Sequence, residues 1–132
     1  MRKPISLQLR LYWGLLTGMI VLVSLLPSPG MQKDLLSIHF DRYWFNFLTY
    51  VAVSNLPLLA WRRRTGLMLA LGMAVLSVGL EALRGLVLDQ SIDLNGMIVN
   101  LLGIAAGILL GLNILMIRSR MNRVDKSGID AS

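Results

Sequence analysis

The chain has 132 residues, of which 55% are hydrophobic, and a formal net charge of +6. Its mean hydropathy of +0.66 excludes a typical soluble domain and favours an integral membrane protein. The absence of cysteine excludes disulfides, thiol catalysis and thiolate metal sites. The basic residues flank apolar runs without interleaved aromatic side chains, so we expect no nucleic-acid partner, and we expect no metal or cofactor.

Four apolar segments predict four transmembrane helices, since each approaches the roughly 20 residues that cross a hydrocarbon core. In chain order they are residues 11–26, 44–61, 66–88 and 97–117. The first ends at Pro27 and Pro29. We expect it to be a retained span rather than a signal peptide, because no A-x-A-like cleavage site follows. Pro57 predicts a kink in the second span, with the freed carbonyl satisfied by a neighbouring helix.

The distribution of positive charge predicts the orientation of these spans. Ten of the 13 Lys and Arg residues lie in segments 1–10, 62–64 and 118–132. Short segments rich in Lys and Arg stay in the cytoplasm. We therefore expect an all-α protein of the cytoplasmic membrane with both termini inside, and with loops 27–43 and 85–96 facing outward. The basic and polar tail, residues 118–132, is expected to be disordered.

Several polar residues lie inside the predicted spans at a similar depth. Glu81 is about 8 Å and Asn100 about 6 Å below the outer surface, at 1.5 Å per residue. Asn46 and Tyr50 lie in the same outer leaflet. Such residues usually face the bundle interior and mark function, which predicts an outward-opening polar pocket. The alternative is architectural, because Glu81 and Arg84 are three residues apart and can form an ion pair.

A glycine stripe on the last span predicts close helix packing. Gly103, Gly107 and Gly111 recur every four residues, a spacing that lets helix backbones approach closely. We expect internal packing rather than a dimer seam. Asn100 lies on the same face and is expected to hydrogen-bond to a partner helix. Its candidate partners form a stripe on the second span, at Asn46, Tyr50 and Ser54.

The remaining polar residues of the outer loops suggest no defined chemistry. Asp89, Asp93 and Asn95 are oxygen ligands, but they are too few for a recognised cation loop, so we interpret them as a solvated segment. His39 lies two residues before Asp41 in the first loop, and a proton-carrying role is the less favoured interpretation there. No nucleophile has a poised base, so we do not expect an enzyme.

Four short motifs between residues 41 and 107 resemble the VanZ-like family of small bacterial membrane proteins. They are Asp41-Arg42, Asn46-Phe47-Leu48-Thr49-Tyr50, Glu81-Ala82-Leu83-Arg84 and Asn100-Leu101-Leu102-Gly103. Glu81, Asn100 and Gly103 match the family directly, whereas Asp41 and Tyr50 match with a shift of one residue. Asn46 stands where the family has His, and Arg84 where it has Gln. Gly96 takes the place of a family Asp, with Asp93 three residues earlier.

The resemblance implies a role at the cell envelope, since the namesake of the family is linked to glycopeptide resistance. It implies that an outer-leaflet pocket binds, or helps to handle, an envelope lipid, a cell-wall precursor or a glycopeptide. The pocket residues would be Glu81, Arg84, Asn100, Tyr50, Asn46, Asp93 and Asp41. The alternative function is a structural subunit or assembly factor of a larger membrane complex. A small transporter is the weakest alternative, because one intramembrane carboxylate gives thin support for ion coupling.

Overall fold

The computed structural model describes residues 3–25, 42–87, 89 and 91–129, nearly all of which lie in α-helices. The helices are α1, Lys3–Leu25; α2, Arg42–Ala60; α3, Arg63–Val87; and α4, Leu94–Ile129. The described part of each predicted apolar segment, apart from Trp61, lies on one of these helices, so the all-α prediction is confirmed for the described residues. The first helix starts eight residues earlier than its predicted span, because the basic lead continues the same helix.

Three of the helices are long and apolar enough to cross a membrane, by length and composition. The qualifying stretches are Ser6–Leu25, Arg63–Val87 and Leu94–Val124. The second helix is less apolar because it contains Asn46, Thr49, Ser54 and Asn55. It also packs against each of the other three helices. A helix surrounded by protein can hold polar residues away from lipid, so its composition suits a central position.

The glycines of α4 set its register against α2. A Cβ added at Gly103 would lie 3.1 Å from Tyr50 Cβ, and one added at Gly111 would lie 3.1 Å from Leu58 Cβ. Contact positions therefore rise together along both helices, which makes α2 and α4 parallel. This pair has the most extensive contact in the bundle, because glycine brings the backbones together.

The third helix runs antiparallel to α2. Gly66, near the start of α3, lies against Leu58 near the end of α2, and Ser77, further along α3, neighbours Tyr50. Buried apolar side chains fill the space between α2, α3 and α4, and half-buried residues of α1 cover them. The buried cluster consists of Tyr50, Val53, Met73 and Ile104. Since lipid tails are as apolar as these side chains, close packing holds them together in a membrane.

The first helix docks on α2 through side chains that bind free backbone carbonyls. Pro57 has no N–H, so the Val53 carbonyl four residues earlier loses its helical donor. Trp13 Nε1 donates to that oxygen at 2.9 Å, and Arg10 Nε donates to Ala60 O at 3.3 Å. The prediction that a neighbouring helix satisfies this carbonyl is confirmed. The two contacts also make α1 antiparallel to α2, so the bundle alternates in direction along the chain.

The fourth helix continues beyond its predicted span. It contains 36 residues, about 54 Å at 1.5 Å per residue, whereas a hydrocarbon core is about 30 Å thick. The expectation of disorder after Ile117 is therefore wrong for residues 118–129. No Gly or Pro lies between Leu112 and Ser127, so nothing in the sequence ends the helix there.

The two ends of the bundle carry opposite charge. At the end where α1 and α3 begin lie exposed arginines, which we call the basic end: Arg10, Arg62, Arg63, Arg64, Arg118, Arg120 and Arg123. Only Trp61 and Arg62 separate α2 from α3, so two of the three consecutive arginines, Arg63 and Arg64, belong to α3. The opposite end, the acidic end, carries Glu81, Asp89 and Asp93 together with Arg84 and the start of α2 at Arg42.

Candidate functional site

Side chains from three helices meet near the acidic end. Asn100 on α4 donates from Nδ2 to Ser77 Oγ on α3 at 3.3 Å. Ser77 and Glu81 on α3 both lie close enough to the Tyr50 hydroxyl on α2 to act on it electrostatically. Because Ser77 and Tyr50 are buried, this contact chain runs through the interior of the bundle. We call these four residues the polar cluster.

Ser77 is the member of the polar cluster that sequence reasoning missed. The sequence feature that could have identified it is its position four residues before Glu81, which places both side chains on one face of α3. A serine inside an apolar helix often bonds to its own backbone, and the sequence does not distinguish that from a contact between helices. Ser54 illustrates the other outcome, since its Oγ donates to Tyr50 O at 2.7 Å within α2.

Glu81 connects α3 to the start of α4. Its Oε1 accepts a hydrogen bond from the Asp93 backbone N–H at 3.0 Å, and its Oε2 lies 3.6 Å from Arg84 Nη1. The two side chains are only 14% and 16% exposed, respectively. At 3.6 Å the ion pair is longer than a strong charge-assisted hydrogen bond. The Glu81 carboxylate is therefore closer to the backbone N–H of Asp93 than to the Arg84 guanidinium.

Asp93 caps α4. Its Oδ1 accepts the Gly96 N–H at 3.0 Å, which is the side-chain contact of an N-cap residue to the third helical position. A carboxylate at this place also favours the positive end of the helix dipole. Asp89 precedes it with φ of 48°, a left-handed conformation that Asp adopts more readily than most residues. Asp89 and Asn95 are exposed, as expected of a solvated segment, whereas Asp93 is half-buried and also caps the helix.

Some buried polar atoms near the polar cluster have no partner among the residues that the structure describes. They include Arg84 Nε and Asn100 Oδ1, and Asn55 Oδ1 lies deeper in the bundle. A buried polar atom left unpaired costs about 1–3 kcal/mol. Such atoms require an explanation in a stable protein, and a bound polar group would supply one.

Two further residues predicted to line the pocket, Asn46 and Asp41, add little to this geometry. Asn46 is half-buried one turn before Tyr50. Asp41 lies outside the described residues, as does His39. Gly103 lies one turn after Asn100 on α4, and a Cβ added there would come within 2.7 Å of Phe47 O on α2. At this level α4 therefore contacts α2 through Gly103 and α3 through Asn100.

An open groove lies at the end of α3, where its lining residues alternate along the helix with Glu81 and Arg84. It has a volume of about 530 Å³ and is lined by Ala82, Gly85, Leu86, Ser91 and Ile92. Its lining is mainly apolar. Ala82 and Gly85 follow Glu81 and Arg84 directly in sequence, so the groove and the charged pair share one turn of helix.

The described residues contain no group of three or more His, Asp or Glu side chains placed to hold a metal ion. The side chains at the acidic end offer hydrogen bonding from Arg84 and Asn100 and the carboxylate of Glu81. Comparisons with protein-family models, curated proteins and solved structures find no match to this chain. They neither support nor oppose the resemblance to the VanZ-like family, which stays a prediction.

Proposed function

We propose that this chain is a four-span protein of the cytoplasmic membrane that binds the polar headgroup of an envelope ligand at the polar cluster. The ligand class is the one that the VanZ-like resemblance implies: an envelope lipid, a cell-wall precursor or a glycopeptide. The observation that carries the proposal is the pair of unpartnered buried atoms, Arg84 Nε and Asn100 Oδ1. One is a donor and the other an acceptor, which suits a headgroup with hydroxyl, amide or phosphoryl groups.

The depth of the polar cluster supports a ligand that enters from the membrane surface. Glu81 lies six residues before the end of α3, and Asn100 lies six residues after the start of α4. Both are therefore about 9 Å inside the helix ends. The groove beside Arg84 is apolar and opens at the same level, so it suits the chain of an amphiphile whose headgroup reaches the polar cluster.

The orientation in the proposal places the acidic end outside. Charge segregation supports it, because the arginine-rich end is the one that stays in the cytoplasm. The chain lacks cysteine, which allows a direct test. Single cysteines at Ser91 and Asn122, both exposed positions on opposite ends, are treated in intact cells with a membrane-impermeant maleimide. We expect labelling at 91 alone, and labelling at 122 alone would reverse the orientation.

A structural subunit or assembly factor is the second candidate, and one observation favours it. Glu81 Oε1 is occupied by the Asp93 amide, and Asn100 Nδ2 is occupied by Ser77. These contacts join α3 to α4 without any ligand. In that function the polar cluster holds the bundle in shape, and the outer helix faces contact a partner protein.

Binding measurements on the purified chain in phosphatidylcholine nanodiscs separate the two functions. The probes are teicoplanin and a polyprenyl-linked cell-wall precursor, read by the shift in melting temperature. We expect at least one probe to bind and Asn100→Ala to weaken it tenfold or more. The matched control is Asn113→Ala, because Asn113 is exposed on the same helix and bonds to its own Leu109 carbonyl at 2.9 Å.

The same measurements can contradict ligand binding. If neither probe raises the melting temperature, the headgroup proposal fails for this class. If Asn100→Ala then lowers the melting temperature of the free protein far more than Asn113→Ala does, the structural function is supported. A protein partner that co-purifies with the wild-type chain, and is lost with Asn100→Ala, would support it further.

A further inference from the structure

The basic end combines arginines from two separate parts of the chain at one level. Contacts of the α4 glycines pair residue 103 with 47 and 50, and residue 111 with 55 and 58. The same offset, continued along the parallel helices, sets Arg62 level with residues 116 and 117 of α4. Arg118 therefore stands beside the consecutive arginines 62–64. Because α4 packs directly on α2 and α3, the helix axes are about 8–10 Å apart, within reach of two arginine side chains.

These arginines have few competing partners. Arg62, Arg63, Arg64, Arg118, Arg120 and Arg123 are exposed. The described acidic side chains, Glu81, Asp89 and Asp93, all lie at the acidic end, and Asp125 is the one acidic residue of the helix after Arg118. Charge at the basic end is thus supplied by guanidinium groups, which bind phosphate through two parallel hydrogen bonds.

The surface between these arginines is apolar. Ile117, Met121 and Val124 are 59%, 66% and 72% exposed, and their spacing of four and three residues places them on one face of α4. From Ile117 to Met121 the helix rises about 6 Å, which is the thickness of about one headgroup layer, about 5–7 Å on each side of the core. This surface has an apolar stripe flanked by arginines over the same depth. Such a surface can contact acyl chains with the stripe and lipid phosphates with the arginines.

We infer that the basic end is a binding surface for anionic phospholipids, held by arginines 62–64 together with those of residues 118–123. The inference rests on the membrane placement of the bundle but not on the polar cluster or its ligand. Lipid phosphate is the favoured occupant because the arginines surround the end of the bundle at headgroup depth.

The test uses the full-length purified chain and native mass spectrometry, with phosphatidylglycerol and phosphatidylcholine as competing probes. We expect the wild-type chain to retain phosphatidylglycerol at least tenfold more strongly, with the preference reduced at high salt. Two variants address the two arginine groups: one carries Arg62→Gln, Arg63→Gln and Arg64→Gln, and the other carries Arg118→Gln, Arg120→Gln and Arg123→Gln. Each should reduce the preference at least threefold, and combining them should abolish it.

Asn113→Ala is the control for a substitution on α4, because Asn113 is exposed and lies outside both the basic end and the polar cluster. It should leave the lipid preference unchanged. The arginine variants change no residue of the polar cluster, so the two proposals fail separately. Circular dichroism verifies that each variant keeps its helix content. Equal retention of the two lipids by the wild type, or an intact preference in the combined variant, would overturn the inference. Arginine-dependent binding of polyglutamate or RNA without lipid preference would assign the surface to a soluble acidic partner instead.

Discussion

Replacing Trp13 by Phe should destabilise the bundle by removing a single hydrogen bond that α2 needs. The indole N–H donates to Val53 O at 2.9 Å, and this carbonyl has no helical donor because Pro57 occupies the position four residues later. Val53 is fully buried, with 0% exposure, so neither water nor headgroups reach its backbone. Phe keeps most of the ring but has no donor, so the oxygen is left unpaired.

The expected magnitude follows from this burial. A buried acceptor without a partner costs about 1–3 kcal/mol, while hydrogen bonds between membrane helices measure about 0.6 kcal/mol on average and up to about 1.7. Val53 O cannot find another donor, so we expect the upper part of the membrane range, about 1–2 kcal/mol. The edge-to-face contact of Trp13 with Trp61, at 5.5 Å between ring centroids, is largely kept by Phe.

A double-mutant cycle with Pro57→Ala isolates the hydrogen bond. Alanine restores a backbone N–H at position 57 that can donate to Val53 O within the helix. Unfolding free energies are measured by SDS titration in mixed micelles with far-UV circular dichroism, for the wild type, both single variants and the double variant. Trp13→Phe should cost about 1 kcal/mol less in the Pro57→Ala background, because the oxygen then has its own donor.

Equal costs of Trp13→Phe in the two backgrounds, within about 0.3–0.5 kcal/mol, would refute this reasoning. The tryptophan would then act through packing alone. Trp44→Phe serves as the control for general effects of losing an indole. Trp44 is 59% exposed, and its replacement should change stability by less than about 0.5 kcal/mol.

Two further substitutions test the interior packing and the cap of α4 in the same unfolding assay. Gly107→Ala should destabilise by about 1–3 kcal/mol, because the added Cβ would collide with Ser54 Oγ and Val51 O. Gly72→Ala, where the added Cβ meets nothing within 4 Å, should be neutral or stabilise by up to about 1 kcal/mol; similar losses at the two glycines would contradict the packing argument. Asp93→Ala should cost about 1 kcal/mol through loss of the N-cap, whereas Asp93→Asn keeps the side-chain acceptor, so a matching loss with Asn would show that the cap is not responsible.

Local sequence was sufficient to predict the helices, because apolar composition and length are properties of each segment alone. Local sequence did not predict where α1 begins or where α4 ends, because these helices continue into polar residues. The lead before Leu11 and the stretch after Ile117 are polar but contain residues that continue a helix. A membrane span is bounded by polarity, whereas a helix ends where backbone hydrogen bonding stops. The predicted spans therefore underestimate the helices.

Counting residues also predicted that polar groups share one depth, but it did not predict their partners. The ion pair that the spacing of Glu81 and Arg84 allows is present at 3.6 Å, but the shorter contact of Glu81, with the Asp93 amide, was not predicted. Asn100 was expected to face the polar stripe of α2, and its amide donates to Ser77 of α3. Depth follows from a rise of about 1.5 Å per residue. The rotation of each helix and the identity of its neighbour depend on how all the helices pack.

The sequence by itself determined the all-helical class, the concentration of Lys and Arg in three polar segments, and the glycine spacing on α4. Each of these depends on the order of residues along one segment. Tertiary structure alone decided that α2 is the central helix, that Trp13 completes the hydrogen bonding of Val53, and that the glycines lie against α2. These features require groups far apart in sequence to meet, and their meeting depends on the whole bundle packing at once.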